Sequence, residues 1–222
     1  THVLAAVRAL NRVELVTEMM RHVLTVLAAL APEWLRAHGR PEWVKRYERR
    51  PEDDGLPSKQ AERHALAETI GRDGLAILDA VDADEAPSWL RGLPALRMLR
   101  GVWIQNYLVT GTDVRWRTDK EGLPPAARFI SSPYDTDAHY ARKHTTSWIG
   151  YKVHLTETCD GDTPNLITDV QTTAAGLCDV EMTAPVQDAL AERGLPPETH
   201  LVDAGYVDAA LLVSSRAEHA ID

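Results

Sequence analysis

Apolar residues recur every three or four positions through the first half of the chain. Val16, Met20, Val23, Leu27 and Leu30 form one stripe, and Leu66, Ile70, Ile77 and Val81 a second. At that spacing a helix returns side chains to the same face, so the pattern predicts amphipathic helices here. The run from His2 to Leu10 reads as the first of them. Pro32-Glu33-Trp34-Leu35, Pro41-Glu42-Trp43-Val44 and, more loosely, Pro87-Ser88-Trp89-Leu90 each place proline and then a polar residue where a short helix begins. Proline's fixed φ and missing N–H cost nothing in a first helical turn. Arg49 to Lys59 reads as a loop, and Gly71 and Gly74 weaken the helix they interrupt. Leu96, Leu99, Trp103 and Tyr107 mark a last helix on this side, with the aromatic rings read as core and not as a platform for bases.

Past Thr110 the period shortens to two. Val114-Arg115-Trp116-Arg117 alternates, Gly122 to Pro125 reads as a loop, and the clearest strand runs from Ser147 to Glu157. In it Ile149, Tyr151, Val153 and Leu155 point one way, and Trp148, Gly150, Lys152, His154 and Thr156 the other. Asp160-Gly161-Asp162 is expected to turn the chain back into a partner strand over Leu166 to Thr172, with Asp160, Asp162 and Asp169 solvated on that hairpin. Val180 to Arg193 is a predicted helix closed by Gly194, His200 to Val202 a short apolar strand, and Val207 to Ala217 another helix. A strand–helix–strand crossover would set two strands parallel and make the sheet mixed. The predicted organisation is thus a mainly α-helical region over residues 1–110 and an α/β unit over residues 111–222.

Composition narrows this picture. The 222 residues, 44% hydrophobic and 26% charged, suffice for a buried core. No run approaches the roughly 20 apolar residues of a membrane helix, and the start lacks the layout of a secretory signal, so a cytoplasmic location is expected. Cys159 and Cys178 belong to no CxxC pair and read as reduced thiols. The net charge of -9 excludes a uniformly basic nucleic-acid-binding surface and confines any DNA contact to a local patch. From Ala138 to Thr156 there is no acid, while Arg142, Lys143 and Lys152 carry charge and His139, His144 and His154 can add to it. The same residues also fit a basic strand edge that discourages pairing with other strands.

Asp203 follows Leu201-Val202 and precedes Ala204-Gly205-Tyr206, at the carboxyl end of the predicted short strand, where functional groups of such sheets gather. An acid there can offer hard oxygen to a divalent ion beside a phosphate. By its local pattern alone, a cap on the following helix is the simpler reading.

Three segments taken in order change that balance: Ser132-Pro133-Tyr134-Asp135-Thr136-Asp137-Ala138, Gly150-Tyr151-Lys152-Val153-His154-Leu155, and Leu201-Val202-Asp203-Ala204-Gly205-Tyr206. Together they resemble the motif set of bacterial insertion-sequence DDE transposases. The resemblance covers the chain from about Ser131 to its end, and the first half more loosely, as a helical insertion. It implies an RNase H-like catalytic domain with a mixed sheet and flanking helices. In that family two Asp and one Glu bind two Mg2+ (or Mn2+) ions, cut the element's ends and join them to target DNA. Asp203 matches the second Asp, as catalytic residue and metal ligand. The family's first Asp would lie just before Thr1, and its Glu beyond a strand beginning at Ile221. The resemblance therefore implies an internal fragment, inactive by itself. Lys152, His154, Arg142, Lys143 and Tyr206 are the candidate DNA contacts, with a plain surface pair an equal reading of Lys152 and His154, while Asp135 and Asp137 read as turn and cap residues. His139 departs from the family, which has Arg there. The implied partners are transposon ends and target DNA, with a homo-oligomer in the active complex and no membrane. Two other readings stay open: a catalytically inactive transposon remnant, and a helix-rich interaction protein whose acidic charge and tryptophan-marked helices need no site.

Overall fold

Asn11 sets the first helix. Its Oδ1 accepts from the backbone N–H groups of Val13 and Glu14, each at 3.0 Å, while the Glu14 side chain accepts from Asn11 N at 2.8 Å. This reciprocal cap satisfies donors that a helix start leaves unpaired, and it begins helix α1 (Arg12–Leu30) five residues after the last strand residue, Val7. The structure is a computed structural model and describes residues 1–51, 55–111, 113–159, 161 and 163–221. The chain divides into two compact units, Arg8–Thr136 and Thr1–Val7 with Asp137–Asp222.

In the first unit the proline-led helices appear where their sequences place them, α2 (Pro32–His38) and α3 (Pro41–Tyr47), followed by α4 (Gln60–Asp82) and α5 (Pro94–Asn106). The third proline motif forms a 3-10 turn, Ser88–Gly92. Most of the predicted stripes form the core: Val16, Met20, Val23 and Leu27 pack with Ile70, Ile77, Val81, Leu96 and Leu99, all buried, whereas Leu66 is only partly buried and Leu30, at the end of α1, is exposed. Gly71 and Gly74 make room for aromatics. A Cβ on Gly74 would run into the Trp103 indole, whose Nε1 donates to Gly71 O at 2.9 Å, and Tyr107 Oη donates to Ala67 O at 2.8 Å. Each glycine costs the helix about 1 kcal/mol; fully burying a large side chain contributes about 1.5–3 kcal/mol, so the exchange favours the fold. A hairpin, β2 (Tyr107–Thr110) and β3 (Asp113–Trp116), inserts Val114 into this core. With Phe129 and Ile130 packed on the same core and Tyr134 bonded to Arg21 and Glu18, this keeps the chain as far as Thr136 with the helical unit, past the expected residue 110. Asp73, buried on α4, accepts from Tyr47 Oη at 2.7 Å and pairs with Arg46, which ties α3 to α4.

The second unit corrects three expectations. Residues His2–Val7 form strand β1 and not a helix. A run of five apolar residues, Val3 to Val7, carries no period that separates helix from strand, and pairing with a distant strand decides it. That strand is β5 (Thr146–Glu157), which pairs antiparallel with β1 along one edge, His2 facing Val153 and Leu4 facing Tyr151. Its other edge is shared end to end by β4 (His139–Lys143) and β6 (Ile167–Ala174), both antiparallel. The sheet of the described residues is thus antiparallel where a mixed one was expected.

The reason is the second correction: His200 to Val202 forms no strand. His200 and Val202 instead line a small cavity of about 230 Å³ with Thr183, Gln187, Leu211 and Ser215, held by side chains against helices α6 (Thr183–Glu192) and α7 (Ala209–His219). Likewise Ile221 starts no strand. Ala220 takes the left-handed conformation at the end of α7, Ile221 N donates back to Ser215 O at 3.2 Å, and the Ile221 side chain is buried.

Third, the sheet buries its polar face. Lys152, His154 and Thr156 share a face with Asp169, Gln171 and Thr173, and His154 and Asp169 are only 3% and 2% exposed. On the opposite face Leu155 and Val170 are 42% and 53% exposed. Asp169, expected in solvent, has Arg193 Nη1 at 2.8 Å. Asp160 and Asp162 lie outside the described residues. Gly150, within the second motif, has φ +154, and a Cβ there would meet Ala6 N at 2.6 Å; only glycine lets β1 cross β5 at its bulge.

Candidate functional site

The buried polar face gathers residues from four places in the second unit. Strand β5 carries Lys152 and His154 to it, β6 carries Thr173 directly opposite Lys152, and the start of β1 brings Thr1. The fourth contribution comes from two 3-10 turns, Asp179–Met182 before α6 and Ala204–Tyr206 before α7.

These side chains form a continuous hydrogen-bonded chain. Lys152 Nζ donates to Asp179 Oδ1 at 3.0 Å and to Leu177 O at 2.6 Å. Lys143 Nζ stands 3.7 Å from Asp179 Oδ2, and the Thr1 hydroxyl donates to the same oxygen at 3.2 Å. Thr1 also bonds the Tyr206 phenol, which lies 2.5 Å from His154 Nδ1, and His154 Nε2 is 3.0 Å from Thr173 Oγ1. The carboxylate can only accept, and this sets the direction of the whole chain. Thr1 gives its proton to Asp179, Tyr206 gives its proton to Thr1, His154 Nδ1–H donates to Tyr206, and Thr173 donates to Nε2. The imidazole and phenol rings meet edge to face, with centroids 5.6 Å apart.

Electrostatics agree with that assignment. Partial burial opposes the charge on Asp179, but the Lys152 hydrogen bond, the charges of Lys152 and Lys143 and the Thr1 hydroxyl outweigh it and hold the carboxyl below its usual range. Burial pushes the His154 pKa down; Asp179 opposes this, while Lys152 and Lys143 add to it, which favours the neutral ring at neutral pH. Burial raises the Tyr206 phenol, against the Thr1 hydrogen bond and with the negative charges of Asp179 and Asp203.

The candidate residues separate into two groups. Lys152, His154 and Tyr206 are bound within the chain just described. Arg142 and Lys143 lie exposed at the tip of the β4–β5 hairpin, where Arg142 Nε donates to His144 O at 3.1 Å and His144 has φ +54. Asp203 is exposed and caps the 3-10 turn, its Oδ1 accepting from Gly205 N at a long 3.4 Å. No hydrogen bond engages its Oδ2 among the described residues. Tyr134 of the first motif is tied within the helical unit, accepting from Arg21 Nη2 at 2.8 Å and bonding Glu18, with Ser132 Oγ accepting from Tyr134 N. Asp179 and Thr173 escaped sequence reasoning because neither belongs to a motif. No sequence signal singled out Asp179, because the need of Lys152 for a counter-charge arises only once its face of β5 is covered.

Among the described residues no group of three or more His, Cys, Asp or Glu side chains is arranged to hold a metal ion. No described helix is long and apolar enough to cross a membrane. Both cysteines are free and exposed. No protein-family model, curated protein or solved structure matches the chain.

Proposed function

We propose that this chain is the middle of a bacterial insertion-sequence DDE transposase with an RNase H-like catalytic domain, in which Asp203 serves as one metal-binding carboxylate for DNA cleavage and strand transfer. The observation that carries the reading is the 2.5 Å bond between His154 and Tyr206. It joins the second motif to the third, 52 residues apart in sequence, as expected of segments that serve one site.

Asp203 suits one position in a magnesium or manganese site: it is exposed, and an oxygen is unengaged among the described residues. Such ions supply Lewis acidity and an activated water for phosphodiester chemistry. The described residues do not assemble the remaining ligands around Asp203, and the resemblance assigns those to an Asp before Thr1 and a Glu after Asp222. Arg142, exposed on the β4–β5 hairpin, is the contact best placed to neutralise a DNA phosphate, with Lys143, which also stands 3.7 Å from Asp179, beside it. Pairing of transposon ends would bring two or more copies together, as in the family.

The test begins with the reading frame around this chain. The reading requires an Asp immediately upstream of Thr1 and a Glu downstream within a helical pattern, and a stop or unrelated sequence on either side would end it. The extended protein should cleave DNA bearing the element's ends in Mg2+, and Asp203→Asn should abolish cleavage without unfolding it. An Asp203→Asn protein that still cleaves would also refute the assignment.

A further inference from the structure

We infer that Tyr206 and His154 are positioning residues, a strut that holds the Asp203 turn on the sheet, and not contacts to DNA. This rests on the proposed role of Asp203 and deepens it.

The turn has little to hold it by itself. Leu201, Asp203, Ala204 and Gly205 are exposed, and its internal bonds are Tyr206 N to Asp203 O at 2.8 Å and the long Gly205–Asp203 contact. Tyr206 anchors it in two directions. Its phenol bonds His154 and Thr1 at the sheet, and its carbonyl accepts from the Thr183 hydroxyl at the start of α6. His154 in turn is fixed by Thr173 on β6 and is 3% exposed, so neither ring nitrogen is available to a phosphate. The groups facing the imidazole are Tyr206 and Thr173, with the charges of Asp179, Lys152 and Lys143 acting on it. Asp179 sets the proton direction, which leaves His154 protonated at Nδ1. The link from Asp203 to the sheet core thus runs through one phenol and one imidazole of defined tautomer.

Two measurements on the 222-residue chain test this. In ¹⁵N spectra His154 should show the Nδ1–H tautomer. Tyr206→Phe, which removes the acceptor at Nδ1, should switch it to Nε2–H donating to Thr173. In the same variant, amide exchange at Gly205 and Tyr206 should quicken about tenfold, the order of one lost buried hydrogen bond, while β5 and β6 amides keep their rates. His154→Phe should reproduce the faster exchange. His154→Asn, whose amide can donate to the phenol as Nδ1–H does, should restore protection to within about threefold. An unchanged tautomer and unchanged exchange in Tyr206→Phe would overturn the strut.

In an extended, DNA-cleaving protein, Tyr206→Phe should lower kcat and leave KM for DNA and its salt dependence alone. A raised KM with a shallower salt slope would make Tyr206 a DNA contact instead. Failure of the transposase reading has a different signature, since no extended variant would cleave DNA while the tautomer and exchange results stood.

Discussion

Asp179→Ala would leave the Lys152 ammonium stranded. Lys152 and Asp179 side chains are 13% and 15% exposed, and the lysine's remaining acceptor is Leu177 O at 2.6 Å. Breaking a fully buried ion pair by removing one partner costs about 3–5 kcal/mol, and a surface pair about 0–1 kcal/mol. This pair is largely but not wholly screened from water, and Lys152 keeps one hydrogen bond, so the loss should be about 2 kcal/mol. Lys152→Met should cost less, about 1 kcal/mol, because Asp179 retains Lys143 at 3.7 Å and the Thr1 hydroxyl at 3.2 Å. The double variant Lys152→Met/Asp179→Leu should recover part of the Asp179→Ala loss, since apolar groups replace both charges. The assay is urea unfolding at neutral pH with the midpoint and slope followed separately. The sign with pH follows from the depressed Asp179 pKa. Its contribution is present above the unfolded carboxyl range and lost as pH falls through the folded value, so the gap between wild type and Asp179→Asn should close in acid. An Asp179→Ala protein within about 0.5 kcal/mol of wild type would show that the ion pair does not stabilise the fold, and would refute the reasoning.

Three further outcomes are expected. Gly74→Ala should destabilise the helical unit by about 1–3 kcal/mol despite alanine's better helix propensity, because the new methyl displaces the buried Trp103 indole; a rise in the urea midpoint would contradict this. Ala220→Gly should stabilise by about 0.5–1 kcal/mol, measured the same way, because Ala220 sits at φ +55 after α7, where glycine carries no steric penalty. His154, His22 and His200 are all held below the ordinary value of 6.5 by burial, so the unfolded chain binds more protons just below that pH. Stability should therefore fall as pH drops from about 6.5 towards the folded values, and His154→Asn should make that decline shallower in a pH series of urea midpoints.

Much of the fold was legible because the rules involved act within a few residues. The α1 stripe, the proline-led helix starts, the β5 alternation and the Gly194 stop each depend on side chains that share one turn or one strand. Asp203 was legible as part of an ordered motif, and so were Lys152 and His154. What lies beyond such windows was decided by pairing at long range. His2–Val7 became a strand because β5 offers it an edge, and Gly150 lets it cross there. His200 to Val202 stayed unpaired because packing against α6 and α7 holds it without a ladder. Alternation along β5 correctly separated two faces but could not say which one the fold would cover. That choice fell to Asp179 and Tyr206, which arrive from distant turns to satisfy Lys152 and His154. A polar face is buried when most of its groups find partners, which no local pattern contains; among the described residues Asp169 is the exception, its carboxylate near Arg193 but without a hydrogen bond.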